Sequence, residues 1–371
     1  MHRSKQEYGH PLQSKGNFQR APGEFGLIGA LRARKQTTSG LVRIGIGDDC
    51  ALLRPKKGEE IAVTTDFSLE NVHFRRDWHS PEAVGHRCLA RGLSDLAAMG
   101  ARPIAAFLSL AVPGELTIGA RGKASWVELF FDGLLALADR FELPLAGGDT
   151  AASPSGLVAA DIVLIGGVKR GQALLRSGAK DDDLIYVTGE LGGAAAELLA
   201  LERDSKRLGR LRAAAAGHPH LFPEPRVALG RKLAAKRLAT AAIDLSDGLS
   251  SDLRHLCEES SGERIGLAAE IDAGSVPVHP MARLAEAAGW VPSALDLALH
   301  GGEDYELLFT ASPGVKVPGE IGGVAVRVIG RMRALKAGEP VVFLSGANGS
   351  RGELVRGGWE HFRSTLKPDL Q

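Results

Sequence analysis

The sequence predicts a mixed α/β (α+β) protein in which mixed sheets carry helices packed on one face. Three observations predict this class. Runs rich in β-branched residues are interspersed with segments whose apolar residues recur at helical spacing. These segments lack the strict strand–helix alternation of a dinucleotide-binding sheet, and "GELGG" is not the G-x-G-x-x-G motif of such sheets. Glycine supplies 47 of 371 residues, about twice its usual share, which indicates many tight turns and close backbone contacts.

The first half of the chain contains four predicted strands and three predicted helices. The strands are "LVRIGIG", "EIAVTTD", "IAAFLSLAV" and "VAADIVLIGGV". Apolar spacing predicts a short helix at "GEFGLIGALRAR" and longer helices over 81–99 and 124–141. The helix over 81–99 has a proline near its first turn, which is favourable because the first N–H groups of a helix have no partner within it.

The second half opens with "LIYVTGELGGAAAELLALE", a pattern of strand, glycine-rich turn and helix. A domain boundary is predicted within "KRGQALLRSGAKDDD", where charge and glycine cluster after a strand. Residues 1–22 are polar and without periodicity, so we expect a disordered extension. The predicted division is then an N-terminal domain over 23–170, a C-terminal domain over 171–365 and a tail over 366–371.

Composition narrows the classes of function. The formal net charge is +1, from 45 basic and 44 acidic residues, which gives no electrostatic case for nucleic acid or an anionic membrane as partner. Three cysteines without a C-x-x-C pair indicate neither a disulfide framework nor a zinc site. They favour a reducing, cytoplasmic compartment. No apolar run reaches the roughly 18 residues that a membrane span needs.

Aspartates beside small residues, Ser or Thr recur at predicted strand ends and in loops. They are Asp48, Asp49, Asp66, Asp95, Asp149, Asp244 and Asp247. Any one of them alone is as well explained by a turn or a helix cap. If several converge, their mutual repulsion requires cations, and oxygen ligands without His or Cys favour Mg²⁺. Because Mg²⁺ usually completes its shell with phosphate oxygens, the set points to a nucleoside triphosphate, although the chain has no Walker A motif and no protein-kinase signature.

Other motifs admit both a functional and a structural interpretation. "GGEDYELLFT" compresses three acids between a glycine pair and an apolar run, and could be a hairpin or bulge with solvated acids. A lone histidine such as His73 is more often structural than catalytic. Arg176 and Lys180 could bind phosphate or form a solvated basic loop. Trp126 and Trp359 could pack in the core or on the surface instead of contacting a planar ligand.

Taken in order, the motifs closely resemble the thiamine-monophosphate kinase family. They are "GEFGLI", "GIGDDCALL", "VTTDFSLENVHF", "LSDLAAMGARP", "GGDT", "RSGAK", "DLSDGLSSDL", "GGEDYELLFT" and "GGWEHF". The resemblance implies the two-domain fold of aminoimidazole ribonucleotide synthetase and a homodimer assembled through the N-terminal domains. It also implies Mg²⁺-dependent transfer of the ATP γ-phosphoryl group to thiamine monophosphate, which yields thiamine diphosphate.

The resemblance also implies site residues. Those that look like metal ligands are Asp48, Thr64, Thr65, Asp66, Asp95, Asp149, Asp244 and Asp247. Those that look like ATP contacts are Trp126, Gly148, Asp149, Arg176 and Ser246. Those that look like contacts to thiamine monophosphate are His73, Glu303 and Trp359. One departure from the family is "KDDD" after "RSGA", where "KPGD" is usual.

The expected chemistry is direct in-line transfer without a phosphoenzyme, because the sequence offers many aspartates and no convincing nucleophile–base pair. Two alternatives stay open. One is another ATP-using enzyme of the same superfamily, of the selenophosphate or aminoimidazole ribonucleotide synthetase type. The other is a nucleotide-binding protein without catalytic activity.

Overall fold

The structure is a computed structural model that describes residues 40–46, 50–120, 122–208, 218–262, 266–346 and 349–359. Four predictions fall outside these residues: the extension over 1–22, the short helix at "GEFGLIGALRAR", the tail over 366–371 and the metal ligand Asp48. Its neighbour Asp49 lies outside them too.

A four-stranded mixed sheet forms the first layer. Its strands are β3 (Glu59–Leu69), β4 (Arg102–Val112), β5 (Leu145–Ala152) and β6 (Ala159–Lys169). They lie in the order β3–β6–β4–β5, in which only β4 and β5 run parallel. A small antiparallel pair, β1 (Val42–Ile44) and β2 (Leu52–Leu53), precedes it. Leu41, Val42 and Leu53 around this pair pack on Ile104 and its neighbours in the sheet.

Two helices cover the other face of this sheet, α1 (Pro81–Ala98) and α2 (Trp126–Arg140). Ser80 caps α1 by accepting a hydrogen bond from the Ala83 N–H at 3.2 Å, and Pro81 takes the first helical position. The helices cross closely at two glycines. A Cβ at Gly85 would lie 1.9 Å from the Phe130 carbonyl oxygen, and a Cβ at Gly133 would lie 1.9 Å from the Glu82 carbonyl oxygen. Only glycine allows this approach.

An eight-stranded mixed sheet forms the second layer. Its strands are β7 (Leu184–Thr188), β8 (Ala241–Asp244), β9 (Leu267–Asp272), β10 (Leu307–Ala311), β11 (Glu320–Ile321), β12 (Val324–Ala334), β13 (Val342–Ser345) and β14 (Arg351–Glu353). The order is β14–β13–β9–β12–β7–β10–β8, with β11 paired to β12. Every pair except β13–β9 is antiparallel. The sheet therefore differs in pattern from the parallel sheets of dinucleotide-binding proteins.

Five further helices accompany this sheet: α3 (Gly193–Leu208), α4 (Val227–Lys236), α5 (Leu249–Ser260), α6 (Pro280–Ala287) and α7 (Ala294–His300). Leu253 and Leu256 of α5 join Ile185 and Ile243 of the sheet in one buried apolar cluster. Helix α4 instead packs on α1, where a Cβ at Gly230 would lie 1.9 Å from the Ala97 carbonyl oxygen. Helix α1 is thus fixed by elements from both halves of the chain.

The acidic run after "RSGA" serves the second sheet. Asp183 is buried and accepts hydrogen bonds from the Lys180 N–H at 2.9 Å and the Thr240 hydroxyl at 2.7 Å. Asp182 pairs with Arg331. Asp181 accepts from the backbone N–H of Ala334, the last residue of β12, at 2.9 Å. Asp183 matches the family motif, whereas Asp181 and Asp182, the two departures from it, both bind residues of β12.

These elements confirm the predicted mixed α/β class, the four predicted strands of the first half and the helices over 81–99 and 124–141. The strand, turn and helix of "LIYVTGELGGAAAELLALE" are confirmed as β7 and α3. The described residues belong to one compact unit, Gln36–Gln371, and the domain division at 170/171 stays a prediction. No helix in the described ranges is both long and apolar enough to cross a membrane.

Candidate active site

A cavity of about 510 Å³ lies where α1 faces the end of β8, the "GGEDYE" segment and the C-terminal "GGW". Eight of the residues that the sequence predicted for the site line it: Asp66, His73, Asp95, Asp244, Ser246, Asp247, Glu303 and Trp359. They come from both halves of the chain, so the cavity joins predicted metal ligands to predicted acceptor contacts.

Three aspartates from three elements meet on one side of this cavity. Asp66 lies on β3, Asp95 on α1 and Asp244 at the end of β8. Burial raises the pKa of Asp66 to about 7, with added repulsion from Asp95 and Asp244 that Arg91 only partly offsets. Burial, followed by repulsion from Asp95, likewise raises the pKa of Asp244 to about 7. The cluster therefore holds more negative charge than its own surroundings neutralise.

Hydroxyl groups orient two of these carboxylates. The Ser94 hydroxyl donates to Asp244 at 2.7 Å, and the Thr64 hydroxyl donates to Asp95. Both donors lie beside a member of the cluster, Ser94 next to Asp95 on α1 and Thr64 two residues before Asp66 on β3. Each of these carboxylates has further lone pairs, with which it can bind a hard cation or accept a hydrogen bond.

The loop after β8 is held by Asp252 on α5. Its carboxylate accepts from the backbone N–H groups of Asp247 and Gly248 at 3.1 and 3.0 Å. The C-terminal segment then packs on this loop, since the backbone N–H of Trp359 donates to the Asp247 carbonyl at 3.2 Å. A Cβ at Gly358 would lie 2.1 Å from that carbonyl oxygen. The close contact explains how Trp359, near the end of the chain, reaches a cavity built by distant elements.

The acids of "GGEDYE" alternate between two sides of the segment. Glu303 and Tyr305 line the cavity, whereas Asp304 and Glu306 line a separate cavity of about 710 Å³. Asp304 accepts from the N–H groups of Gly192 and Ala194 at the start of α3, at 2.7 and 3.1 Å. Glu306 is buried and binds the Arg226 guanidinium. The alternative of a hairpin with solvated acids is therefore wrong, because all three acids have protein partners.

Glu303 is held as an ionised carboxylate. Arg87 donates to both of its oxygens at 2.8 and 2.9 Å, and His220 Nδ1 lies 3.3 Å away. Burial alone raises the pKa of Glu303, but Arg87, His220 and Arg91 outweigh it and hold that pKa well below the usual range. The carboxylate therefore stays ionised on the cavity wall, as the partner of Arg87.

His73 is fixed by the turn that contains it. Its Nδ1 accepts from the Leu69 N–H at 3.0 Å, and its backbone carbonyl accepts from Arg87 at 3.2 Å. The ring thereby lies beside Glu303 on the wall of the cavity. Trp359 is 51% exposed, so its ring has an open surface available to a ligand.

Five predicted residues of the first half do not line this cavity: Thr64, Thr65, Trp126, Gly148 and Asp149. Strand register separates some of them. Phe67, Asp161, Ser109 and Asp149 are paired across the sheet, so Asp149 lies on the face opposite to that of Asp66. Thr65 shares this far face and donates to Asp161 at 2.6 Å.

The remaining predicted ATP contacts have structural partners. Trp126 begins α2 and stacks on Phe130, with ring centroids 5.5 Å apart. Gly148 has φ of 148°, and a Cβ there would lie 1.9 Å from the Leu108 carbonyl oxygen. Arg176 is exposed and outside the cavity lining, but its charge lowers the pKa of Asp244 against the larger effect of burial.

Sequence reasoning missed the cations of the site. Arg87, Arg91 and Asp95 follow one another at intervals of four residues on α1, which places them on one helix face. This four-residue spacing is the signal in the sequence that could have identified Arg87 and Arg91 as site residues. His220, in contrast, lies in an irregular segment 133 residues from Arg87, with which it makes contact, and no local pattern indicates that pairing.

The residues fit a Mg²⁺ site only with ligands from outside the cluster. Within the described ranges, no group of three or more His, Cys, Asp or Glu side chains is arranged to hold a metal ion by itself. The available donors are carboxylate and hydroxyl oxygens, and the charge of the buried aspartates is only partly offset by Arg91 and Arg176. Mg²⁺ prefers such hard donors and commonly uses one or two carboxylates together with substrate phosphates and water. The donor chemistry therefore fits magnesium.

Comparisons with known proteins agree with this fold. Residues 47–168 match the family described as AIR synthase related protein, N-terminal domain. The chain is 38% identical over 290 residues to the thiamine-monophosphate kinase of Bacillus subtilis (strain 168), which covers 78% of this chain and 83% of the relative. The crystal structure of thiamine-monophosphate kinase from Stenotrophomonas maltophilia K279a superposes with a TM-score of 0.71 at 36% identity, covering 87% of this chain and 96% of the other.

A structure of AaThiL complexed with AMPPCP and TMP superposes with a TM-score of 0.66 at 28% identity, covering 92% of this chain and 97% of that one. The fold class is thus that of the AIR synthase-related proteins. Within that class, the chain belongs to the thiamine-monophosphate kinase family. The predicted family and enzyme class are confirmed.

Two buried histidines behind Glu303 predict a pH-dependent stability. The Nε2 atoms of His79 and His220 lie 2.9 Å apart. Burial lowers the pKa of His79 to about 2, helped by His220 and Arg87, whereas an unfolded histidine titrates near about 6.5. The unfolded chain therefore binds more protons below that pH. Each such histidine costs about 1.4 kcal/mol of stability per unit of falling pH.

We therefore expect His79→Gln to reduce the slope of unfolding free energy against pH by about 1.4 kcal/mol per unit between pH 6 and 5. Urea denaturation at several pH values measures this slope. The free energy of unfolding at pH 7.5, where both rings are neutral, gives the packing cost of the substitution separately. An unchanged slope would show that His79 does not remain neutral in the folded protein.

Proposed function

We propose that the protein transfers the γ-phosphoryl group of ATP to thiamine monophosphate in thiamine diphosphate biosynthesis. The observation that carries this proposal is the single cavity in which Asp66, Asp95 and Asp244 face His73 and Glu303. One side suits a cation-bound phosphate chain and the other suits the acceptor. The named relatives and the AaThiL complex with AMPPCP and TMP support the same assignment.

The proposed step is a direct in-line displacement. A phosphate oxygen of thiamine monophosphate attacks the γ-phosphorus of ATP, the bond from that phosphorus to the β–γ bridging oxygen breaks, and ADP leaves with the electron pair. The acceptor is a phosphate monoester whose second pKa is about 6, so the phosphate group is largely a dianion at neutral pH. It needs little help from a general base. The work of the protein is then to align two anions that repel one another.

The positive charge that neutralises this repulsion would come from several bound Mg²⁺ ions. The residues proposed to hold them are Asp48, Thr64, Thr65, Asp66, Asp95, Asp149, Asp244 and Asp247. Ser94 orients Asp244 through the 2.7 Å hydrogen bond, and Thr64 orients Asp95. Because Asp149 and Thr65 lie on the far face of the sheet, they are proposed to serve a different ion from the one beside Asp66.

The acceptor is proposed to contact His73, Glu303 and Trp359. Thiamine carries a cationic thiazolium ring, and the ionised Glu303 offers a fixed negative charge for it. The half-exposed Trp359 ring offers a face on which a cationic or planar group can stack. ATP is proposed to contact Trp126, Gly148, Asp149, Arg176 and Ser246, of which Ser246 lines the cavity.

The test is to incubate the purified protein with MgATP and thiamine monophosphate and to measure thiamine diphosphate and ADP. Parallel reactions contain free thiamine or an aminoimidazole ribonucleotide precursor. Of the three acceptors, we expect only thiamine monophosphate to yield a diphosphate product and ADP in equal amounts. We also expect Asp66→Asn to lose at least a hundredfold of turnover with its circular dichroism unchanged, since an amide cannot balance the charge of a cation. Phosphorylation of free thiamine alone would contradict the proposal.

A homodimer formed through the N-terminal domain, residues 23–170, is also proposed. On β3, the side chains of Ile61, Val63 and Phe67 are 46%, 63% and 59% exposed, and they share the sheet face that α1 does not cover. Such a row of apolar side chains on one sheet face is typical of an interaction surface. Residues 171–365 are proposed to complete the active site as the C-terminal domain.

We expect Val63→Glu to shift the protein from dimer to monomer in sedimentation velocity, because a charge would be buried at the interface. The matched control is Leu284→Glu on α6, where the side chain is 68% exposed and no contact is proposed. A dimer that persists in Val63→Glu at micromolar concentration would rule out this face.

A cytoplasmic location is proposed because ATP is the co-substrate and the chain keeps free cysteines, two of them buried. Cell fractionation that recovered the protein outside the cytoplasm would contradict it.

A further inference from the structure

Arg91 lies between the two chemical halves of the cavity. It is one turn before Asp95 on α1 and lines the cavity wall. Its Nη1 is 3.5 Å from a Glu303 oxygen, and its Nε is 3.7 Å from an Asp66 oxygen. The guanidinium group therefore spans the gap between the proposed acceptor side and the proposed metal side.

The hydrogen-bond donors of Arg91 are largely uncommitted. Its two ion-pair distances exceed the 2.7–3.2 Å that is usual for N–H···O hydrogen bonds. Its Nε is buried and has no hydrogen-bond partner. Arg87, one turn earlier, differs because it binds Glu303 at 2.8 and 2.9 Å and also donates to the backbone carbonyls of His73 and His220. Glu303 is thus satisfied without Arg91.

Arg91 remains charged in this position. Burial by itself lowers the pKa of the guanidinium, but Tyr305, Glu303 and Asp66 outweigh burial and raise it. A half-buried cation whose buried Nε has no hydrogen-bond partner is costly, and the best partner for its planar fork is a carboxylate or a phosphate. The Asp66 carboxylate lies beyond hydrogen-bond distance and the Glu303 carboxylate accepts only a long hydrogen bond of 3.5 Å from Nη1, which leaves most of the fork available to an anion inside the cavity.

We propose that Arg91 donates hydrogen bonds to the phosphate group of thiamine monophosphate. This rests on the proposed function and adds a residue to the acceptor site. The acceptor phosphate must lie where the acceptor side meets the metal side, because one of its oxygens attacks the γ-phosphorus. Arg91 occupies that boundary, between Glu303 and Asp66. Of the proposed ATP contacts, only Ser246 lines the same cavity, which favours the acceptor phosphate over the nucleotide.

The test separates the phosphate from the rest of the acceptor. Isothermal titration calorimetry measures binding of thiamine monophosphate and of free thiamine to wild-type protein and to Arg91→Gln, with AMPPCP binding as a third measurement. We expect thiamine monophosphate to bind roughly 10- to 100-fold more weakly to the variant, because a charge-assisted contact is lost. Affinities for free thiamine and AMPPCP should stay within twofold of wild type.

Two further variants sharpen the result. Arg91→Lys keeps the charge without the planar fork, so its loss of affinity for thiamine monophosphate should be smaller than that of Arg91→Gln. Arg91→Lys also tests the proposed contact if Arg91→Gln fails to fold. Arg231→Gln is the matched control, since Arg231 lies exposed on α4, outside the cavity lining, and its affinities should equal those of wild type.

Three outcomes would overturn the role of Arg91: unchanged affinity for thiamine monophosphate, equal losses for thiamine and its monophosphate, or a loss confined to AMPPCP. The second of these would mean that Arg91 only supports the pocket through Glu303. Failure of the proposed function is distinct. Wild-type protein that binds thiamine monophosphate without phosphorylating it would refute the function and leave the contact intact, whereas wild-type protein that does not bind it would refute both.

Discussion

Repulsion among Asp66, Asp95 and Asp244 is the interaction on which the rest of the site depends. Two unit charges about 4 Å apart repel by about 4 kcal/mol at an effective dielectric near 20, and burial raises the pKa of Asp66 and Asp244 to about 7. A fold selected for stability alone would not place three carboxylates together at the ends of three separate elements. Under the proposed function, the cluster is half of a charge-balanced assembly, whose other half would arrive with the nucleotide and its cations.

Helix α1 sets the geometry of this assembly. It carries Arg87, Arg91 and Asp95 on one face at intervals of four residues, which fixes the spacing between the proposed acceptor contact Arg91 and the proposed metal ligand Asp95. Glycine contacts press it against α2 and α4, where a Cβ at Gly85 or Gly230 would lie 1.9 Å from a carbonyl oxygen of the neighbouring helix. Since such contacts leave no room for a shift, the helix acts as a rigid support for charged groups that repel one another.

The sequence predicted much of the fold because its strands are β-branched and its helices periodic. The set that contains Asp66, Asp95 and Asp244 was implied by the family resemblance, whereas residue types gave only the conditional argument that converging aspartates would need cations. Three kinds of information were missing. The face on which Asp149 lies, opposite to that of Asp66, depends on the register in which β3, β6, β4 and β5 pair. The different partners of the acids in "GGEDYE" depend on elements more than 75 residues away. The role of His220 arises only from tertiary contact. In each case the decisive partner is distant in sequence, where local patterns carry no information.

The central claim, that the aspartate cluster is a cation site, is tested most directly by counting bound metal. Equilibrium titration of Mg²⁺ at saturating AMPPCP gives the number of ions and their affinity for wild-type protein and for Asp95→Asn, since Asp95 repels both Asp66 and Asp244. We expect the wild-type complex to bind more Mg²⁺ than AMPPCP alone, and Asp95→Asn to bind the affected ions at least tenfold more weakly. Identical Mg²⁺ binding by the two proteins would contradict the central claim.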